Sequence, residues 1–280
     1  MAHILIAGLG DLGAGLATRL LSAGHQVSGI RRSNACPAGV DLYAQDLLGE
    51  APVLLPPDQV DLLYVILTPQ GRDEAGYRRA FLDIPRRLLE ALGRQQPLPP
   101  VIFVSSSAVY GDSGGVISED TPPAPERFNG RVLLAAEEEL STLSLATSVR
   151  FSGIYGPGRL SMVRRARAIA AGEPPPEPRF TNRIHSRDCT GLLAQVGERW
   201  LAGDMLPPVV LGTDNHPVLN REVLNWIGAR LGQPLDLELP DIAPGKRLHS
   251  RYIEEGHYRL EYPDFRVGYG EALRADQDKG

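Results

Sequence analysis

The stretch that decides the fold is His3–Gly13, HILIAGLGDLG, in which an unbroken apolar run is followed by the spacing G-x-G-x-x-G. An apolar run without alternation is typical of a strand that is buried on both faces of a parallel sheet. Gly8 then permits a tight turn, Gly10 a close approach between backbone and ligand, and Gly13 close packing of a helix on the strand. Because the glycines follow a strand and open a helix, they predict a dinucleotide site; the alternative is a glycine-rich turn without a ligand.

The other contacts of the dinucleotide follow from this placement. The diphosphate would lie at the positive end of the first helix, and the residues predicted to contact it are Gly8, Leu9, Gly10, Asp11, Leu12 and Gly13. The second strand ends in Arg31 and Arg32, at the position where an acid binds the ribose 2′-hydroxyl of NAD and an arginine accommodates the 2′-phosphate of NADP. This favours NADP, with NAD as the second choice and two solvated loop arginines as the alternative. Asp46 and Leu47, after the third strand, are predicted to lie beside the adenine.

Strands and helices alternate along the first half of the chain. After a first helix that ends near Gly24, further strands are predicted at Gln26–Ile30, Asp61–Leu67, Val101–Ser105 and Thr147–Phe151. Between them, helices are predicted at Asp73–Leu92 and Val132–Leu143. This alternation predicts an α/β fold, a Rossmann-type doubly wound parallel sheet with right-handed crossovers.

A second, smaller part is predicted to follow the nucleotide-binding domain. The rhythm of strands and helices changes near Gly153, and a proline-rich loop and a helix over Leu219–Leu231 come later. We expect residues 1–152 to form the NAD(P)-binding domain, with residues 182–201 returning to it. Residues 153–181 and 202–280 would form a smaller carboxy-terminal substrate lobe.

Composition excludes several classes of partner. The chain has 280 residues and a net charge of −5, which disfavours a nucleic acid or an anionic membrane. The densest basic run, Arg164, Arg165 and Arg167, is interpreted as a solvated helix face. Cys36 and Cys189 form no disulfide framework and no metal-ligand spacing, so no metal is expected. The amino terminus lacks the regions of a signal peptide and no apolar run is long enough to span a membrane, so the expected location is the cytoplasm.

Four segments, in this order and spacing, resemble the extended short-chain dehydrogenase/reductases, the NAD-dependent epimerase/dehydratase group. They are VSSSAVYG (Val104–Gly111), VRFSGIYGPGR (Val149–Arg159), NRIHSRD (Asn182–Asp188) and RLEYPDFRVGY (Arg259–Tyr269). The resemblance spans nearly the whole chain. The further cofactor contacts that it implies are Leu67, Thr68, Pro69, Ser105, Phe151 and Ser152. The substrate contacts that it implies are Ser107, Tyr110, Asn129, Tyr155 and Arg183.

The chain departs from that family at the residues that carry its proton chemistry. The resemblance implies that Ser106 hydrogen-bonds the substrate oxygen and is the catalytic residue. Counting back from Glu137, which matches the family's acid, the Tyr-x-x-x-Lys pair falls on Asn129 and Leu133. An amide does not titrate in this range, and leucine can neither stabilise a phenolate nor hydrogen-bond a ribose. The resemblance therefore implies an atypical subgroup that has the family's fold and cofactor site without its standard catalytic cycle.

The resemblance places four other residues near the cleft, where one of them could replace the missing proton donor: Tyr110, Arg131, Tyr155 and His185. His185 is the one with an ordinary pKa near neutrality, and we interpret it as a buried, hydrogen-bonded residue at the start of a helix. Tyr110 and Tyr155 are also interpreted as packing residues beside the cofactor. Arg131 fits either an anionic substrate group or a solvated helix start, and Asp188 is predicted to cap the following helix.

Two functions follow from these residues. The first is an NAD(P)-dependent oxidoreductase or epimerase-like enzyme that acts on a small polar substrate, and a sugar derivative is one such substrate. The second is a non-catalytic NADP(H)-binding sensor or regulatory protein, suggested by retained glycines beside a missing Tyr and Lys. The retained second lobe favours the enzyme. A homodimer through the helices after strands four and five is an expectation from the resemblance alone.

Overall fold

The computed structural model describes residues 1–112 and 114–277, and apolar runs of the first half of the chain become strands of its central sheet. The strands are β1 (His3–Ala7), β2 (Gln26–Arg31), β3 (Asp41–Ala44), β4 (Leu62–Val65), β5 (Val101–Ser106), β6 (Gly115–Ile117), β7 (Ala146–Phe151), β8 (Gly153–Tyr155), β9 (Phe180–Thr181), β10 (Arg183–His185), β11 (Val209–Gly212), β12 (Val218–Leu219) and β13 (Lys246–Leu248). The α-helices are α1 (Asp11–Ser22), α2 (Glu74–Arg78), α3 (Ile84–Gly93), α4 (Phe128–Leu143), α5 (Ser161–Ala170), α6 (Ser186–Leu201), α7 (Asn220–Arg230), α8 (Arg251–Glu254) and α9 (Phe265–Gln277).

The central sheet has seven strands in the order β11-β7-β5-β4-β1-β2-β3. β1 pairs in parallel with β2 on one side and with β4 on the other, so that Ile4 lies opposite both Val27 and Leu62. The side chains of β1 and β4 are buried throughout, as an apolar run without alternation predicts. The order of strands reverses between β1 and β4, which is where doubly wound folds bind their ligands. The predicted Rossmann-type α/β fold is confirmed.

The chain divides into two compact units. The first unit contains residues 1–111, 123–150 and 190–210, and the second contains residues 112–122, 151–189 and 211–280. β7 and β11 run from the first unit into the second by one and two residues. The other limits differ from the expected domain boundaries by several residues, but residues 112–122, which were expected in the NAD(P)-binding domain, belong to the second unit.

The predicted helix from Asp73 to Leu92 is interrupted in the structure. Between α2 and α3 the chain makes a π-helical turn over Arg79–Asp83, in which the N–H of Ile84 donates to the carbonyl of Arg79. Pro85 explains the break, because it has no N–H for the carbonyl four residues before it and its ring would clash with that carbonyl. The predicted helix-like stretch is therefore helical but interrupted at this turn, which lines the candidate site described below.

The second unit is built from short strand pairs and packed helices. β8 pairs in parallel with β10, β9 is antiparallel to β12, and β6 is parallel to β13. Its hydrophobic core includes Val163 of α5, Ile227 of α7 and Phe265 of α9. The last forty residues, in which the sequence shows no clear period, contain α8 and α9.

The predicted role of Asp188 as a helix cap was wrong. This residue is buried inside the first turn of α6, and its carboxylate accepts hydrogen bonds from the hydroxyl of Tyr258 and from the N–H groups of Glu261 and Tyr262. It therefore anchors the segment before α9 within the second unit. Burial raises the pKa of Asp188, and these three hydrogen bonds to the charged form oppose that effect.

Candidate dinucleotide site

A cavity of about 440 Å³ lies in the first unit at the carboxyl ends of β1, β2 and β4. Its wall begins at the glycine turn and continues through the ends of β2 and β3 to the helical segment that contains the π turn. The lining residues are Gly8, Leu9, Gly10, Ile30, Arg31, Arg32, Ser33, Gln45, Asp46, Leu47, Leu48, Ile66, Leu67, Thr68, Gln70, Gly76, Arg79, Ala80 and Ile84. The cavity lies on both sides of the position where the order of strands reverses.

The three glycines of the turn are required for different reasons. Gly8 has a φ of +104°, and a Cβ there would lie 2.0 Å from the carbonyl oxygen of Ile66. A Cβ on Gly13 would lie 2.1 Å from the carbonyl oxygen of Gly8. A Cβ on Gly10 would meet no heavy atom within 4 Å among the described residues. The protein itself therefore requires glycine at positions 8 and 13, whereas at position 10 glycine leaves open space that a ligand backbone could approach.

The N-cap of α1 is Gly10, which lies on the cavity wall and has no side chain with which to cap the helix. The carboxylate of Asp11 accepts from the N–H of Leu12, which places a negative charge at the positive end of the helix dipole. Neither residue lies on the cavity wall, and Gly13 does not either. An anion in the cavity would meet the Gly8–Gly10 backbone, as at other helix N-termini that bind phosphate.

The wall of the cavity carries an excess of positive charge. Arg31, Arg32 and Arg79 lie on it, with Asp46 as the one carboxylate among the described lining residues. The guanidinium of Arg31 donates to the carbonyl of Ala35 and so holds the loop after β2. Asp46 accepts from the N–H of Leu48 at 3.0 Å. Such a wall suits a ligand with several negative charges.

The predicted cofactor residues fall into three groups. On the cavity wall lie Gly8, Leu9, Gly10, Arg31, Arg32, Asp46, Leu47, Leu67 and Thr68. In the first unit but away from that wall lie Asp11, Leu12, Gly13, Pro69 and Ser105, and in the second unit lie Phe151 and Ser152. Sequence reasoning missed ten lining residues, which are Ile30, Ser33, Gln45, Leu48, Ile66, Gln70, Gly76, Arg79, Ala80 and Ile84. The last four lie on the segment α2–α3, which contains the π turn.

Ser106 closes β5 and begins a 3₁₀ turn over Ser107–Tyr110. Its hydroxyl oxygen accepts from the N–H of Ala108 at 3.2 Å, which leaves the hydroxyl hydrogen able to donate to a ligand. Ser106 and Ser107 are both partly exposed. Both residues stay predictions as substrate contacts.

Asn129 lies on the first turn of α4, which packs against the turn after Ser106. A Cβ on Gly130 would lie 2.5 Å from the carbonyl oxygen of Ala108, so the two turns are in close contact. Asn129 is partly exposed, whereas Leu133, one turn later, is buried. The positions that resemble the family's Tyr and Lys therefore hold a carboxamide and a buried alkyl group.

A buried polar network lies beneath this turn of α4. Arg150 forms an ion pair with Glu137, with 2.6 Å between Nη2 and Oε2, and the hydroxyl of Ser105 donates to the same carboxylate. Nη1 of Arg150 donates to the Tyr110 hydroxyl at 2.9 Å. Burial opposes the charged form of Arg150, but the hydrogen bonds and charge of Glu137 outweigh it and raise the pKa of the guanidinium.

This network determines the role of Tyr110. The side chain is 1% exposed, so it favours the packing alternative over contact with a substrate. Ser105 is also buried and directed toward Glu137. Both residues stay predictions as ligand contacts, and in this structure both support the strand end from within the first unit.

Two other predicted substrate residues, Tyr155 and Arg183, lie buried in the second unit. Arg183 donates from Nη2 to the hydroxyl of Thr181 at 2.8 Å. Its Nη1, like Oδ2 of Asp214, has no hydrogen-bond partner in the described part of the chain. Burial lowers the pKa of Arg183 and raises that of Asp214 to about 7.

His185 is buried at the end of β10, as interpreted from the sequence. Its ring stacks on Tyr262 with 3.7 Å between the centroids, and its Nδ1 accepts from the N–H of Arg187. Burial lowers the pKa of His185 to about 4, so the ring is neutral near pH 7. A neutral, stacked imidazole with an occupied Nδ1 serves packing in the second unit.

Within residues 1–112 and 114–277, no group of three or more His, Cys, Asp or Glu side chains is placed to hold a metal ion. Within the same ranges, no helix has both the length and the apolar character needed to cross a membrane.

Comparisons with known proteins agree with this geometry. Residues 4–190 match the model of the NAD dependent epimerase/dehydratase family. Protein YeeZ of Escherichia coli strain K12 is 32% identical over 287 aligned residues, which cover 94% of this chain and 97% of that protein. A solved protein from Methylobacillus flagellatus, described as a proposed NAD-dependent epimerase/dehydratase, is 35% identical with a TM-score of 0.81 and 99% of each chain covered. MoeE5, solved in complex with UDP-glucose and NAD, has a TM-score of 0.77 at 22% identity, covering 98% of this chain and 99% of that one, and shares the fold. The chain belongs to the NAD-dependent epimerase/dehydratase family.

Proposed function

We propose that this protein is an NAD(P)-dependent oxidoreductase or epimerase-like enzyme that acts on a small polar substrate, with a sugar derivative as the substrate class. The observation that carries the proposal is the cavity beside Gly10, where open space meets the bare start of α1 and an arginine-rich wall. Membership of the family and the NAD held by MoeE5 support a nicotinamide cofactor. NADP is the preferred form in this proposal, because β2 ends in Arg31 and Arg32 rather than in an acid.

The residues of the cavity fit such a cofactor. The backbone of Gly8–Gly10 would hold the diphosphate, and Leu47, Ile66 and Leu67 provide an apolar surface for the adenine. When bound, the nicotinamide supplies the hydride donor or acceptor. The chain itself binds and orients the two reactants.

Ser106 has the central part in the proposed chemistry. Its hydroxyl would donate to the oxygen of the substrate carbonyl and so hold that carbonyl in the orientation needed for reaction. Asn129 can add a second neutral donor, but neither side chain changes its protonation state near neutral pH. The proton of the reaction would therefore come from water or from the substrate itself.

The enzyme proposal is tested by oxidation of NADPH with a panel of aldehydes, ketones and nucleotide sugars. We expect slow turnover with a member of the panel, and a loss of 10-fold or more in Ser106→Ala with unchanged binding of NADPH (roughly the range for one hydrogen-bond donor). Ser22→Ala is the matched control, because this exposed hydroxyl only donates to the carbonyl of Thr18. NADPH binding without turnover across the panel would reject the enzyme.

The second candidate is a non-catalytic NADP(H)-binding sensor. The observation that favours it is the pair of Asn129 and buried Leu133 on α4, which leaves the cofactor framework without the family's proton donor. A sensor must change its association with a partner or with itself when it binds the dinucleotide. Sedimentation with and without NADPH tests this, and identical behaviour in both states would eliminate it.

Association and location complete the proposal. A homodimer through α3 and α4 is expected from the resemblance, and the outer surface of these helices carries the ion pair between Arg86 and Glu139. The expected location is the cytoplasm, and both Cys36 and Cys189 are free thiols. Sedimentation equilibrium measures the oligomeric state, and cell fractionation determines the location.

A further inference from the structure

The π turn changes which side chains face the cavity. In an α-helix, residues five apart point roughly 140° away from each other, whereas a π turn places them about one turn apart. The hydrogen bond from Ile84 to Arg79 has this spacing, and both residues lie on the cavity wall together with Gly76 and Ala80. Arg79, three residues after Gly76, lies on the same helix face as Gly76 and Ala80, and the π turn brings Ile84 onto that face as well.

The opposite side of the π turn is fixed in the core of the first unit. Phe81 is buried and packs against Tyr77 and Phe103, with ring centroids 5.5 and 6.1 Å apart. Tyr77 in turn makes an edge contact with Phe128 at 5.4 Å. Because these rings hold the turn from behind, the backbone that carries Arg79 is in place before any ligand binds.

Arg31 and Arg32 are adjacent in sequence but differ in their hydrogen-bond partners. Arg31 already donates to the carbonyl of Ala35. The guanidinium groups of Arg32 and Arg79 have no hydrogen-bond acceptor and no carboxylate partner among the described residues. Both side chains are exposed and line the same cavity, so an anion bound there would have two unpaired cations available to it.

The charge of this pair fits one part of the proposed cofactor. The glycine turn offers backbone groups to the diphosphate that NAD and NADP share. A 2′-phosphate adds a further charge of about −1.5 to −2, close to the charge of two guanidinium groups. Arginine also binds phosphate through two parallel hydrogen bonds.

We propose that Arg32 and Arg79 form a clamp for the 2′-phosphate of NADP(H), and that Arg31 is a positioning residue for the loop that carries Arg32. The proposal rests on the proposed dinucleotide function and deepens it. Arg79 is then a specificity-determining residue contributed by the helical segment α2–α3. It discriminates between the phosphorylated and unphosphorylated ribose and adds little to the binding of the rest of the molecule.

The test is isothermal calorimetry of the full chain with four probes: NADP, NAD, adenosine 2′,5′-bisphosphate and ADP. We expect Arg79→Gln and Arg32→Gln each to weaken the two 2′-phosphorylated probes roughly 10- to 100-fold, the range for a hydrogen-bonded ion pair with phosphate, and to weaken NAD and ADP less than about 3-fold. Arg78→Gln is the matched control, since it lies one residue earlier and is not on the cavity wall. Arg79→Lys is expected to recover part of the affinity because it keeps the charge.

The possible results separate this proposal from the one it depends on. If no probe binds, the dinucleotide function itself fails and the clamp fails with it. If NADP and NAD bind with equal affinity, or if Arg79→Gln weakens all four probes equally, the dinucleotide site stands and the clamp is overturned. A circular dichroism spectrum that matches the unchanged protein shows that each variant is folded.

Discussion

Gly10→Ala separates the contribution of the glycine turn to the fold from its contribution to a ligand. A Cβ at position 10 would meet no heavy atom within 4 Å in the described structure, and the φ of −72° there is accessible to alanine. The substitution is therefore expected to leave the protein folded. The same methyl group would occupy the space into which the diphosphate must come, so binding of the dinucleotide is expected to fall sharply.

Two effects of the substitution on the free energy of unfolding oppose each other, and ligand binding adds a third contribution. Alanine in place of a glycine of compatible conformation stabilises by about 0.4–1 kcal/mol, while alanine is a poorer N-cap than glycine by a similar amount. The free energy of unfolding without ligand should therefore change by less than about 1 kcal/mol. A ligand at about 100 times its dissociation constant adds roughly 2.7 kcal/mol, which raises the Tm of a chain of this size by roughly 5–10 °C. We expect NADPH to produce this rise in the unchanged protein and almost none in Gly10→Ala.

The assay is a pair of thermal melts, with and without NADPH, for three proteins. The third is Gly13→Ala, whose Cβ would lie 2.1 Å from the carbonyl oxygen of Gly8 and which should lose stability even without ligand. A Gly10→Ala protein that gains as much Tm from NADPH as the unchanged protein would refute the reasoning. So would a loss of stability in Gly10→Ala as large as that in Gly13→Ala.

Three other substitutions test buried polar groups. Glu137→Gln leaves the charge of Arg150 buried without its partner and should lower the free energy of unfolding in urea by about 3–5 kcal/mol. Glu139→Gln, in an exposed ion pair, should lower it by less than about 1 kcal/mol, and equal losses would contradict this expectation. Burial raises the pKa of Asp214 from 3.8 to about 7, so its contribution to stability is full below about pH 4 and is lost as the pH rises to about 7. Asp214→Asn should remove this fall, which is at most about 1.4 kcal/mol per pH unit, and an unchanged pH dependence would show that Asp214 does not cause it. Tyr64→Phe removes a buried hydrogen bond to a carbonyl of α6 and should cost about 1 kcal/mol by the same measurement; an unchanged midpoint would count against that bond.

The sequence predicts the fold where local signals and tertiary packing agree. The apolar run His3–Ala7 and the glycines after it encode strand, turn and helix within a few residues, and β1 and α1 form there. The second unit gives weaker signals, because strands of two or three residues such as β9 and β12 depend on pairing with distant segments. No period of two or 3.6 can be detected in runs so short.

The candidate site is also predictable only in part, where local sequence signals mark its residues. The residues of the glycine turn and the ends of β2 and β3 follow from spacing, and most of them line the cavity. Arg79 was not predicted, because no motif marks the segment α2–α3 as part of the cavity wall; contacts of Phe81 with Tyr77 and Phe103 hold that segment in place. Pro85 is visible in the sequence as a break in a helical pattern. The direction in which the broken helix turns its side chains is decided by tertiary packing.

The two proposed functions use different parts of the first unit. A sensor needs only the cavity, whereas an enzyme also needs Ser106 and Asn129 above the buried pair of Glu137 and Arg150. Neither Ser106 nor Asn129 supplies a proton near neutral pH, and loss of a general acid typically costs roughly 100- to 10,000-fold in rate. Such an enzyme would turn over slowly, and both functions require the dinucleotide to bind in the same cavity. Binding strength therefore cannot distinguish the two functions, and the effect of Ser106→Ala on turnover can, because a sensor has no rate for this substitution to lower.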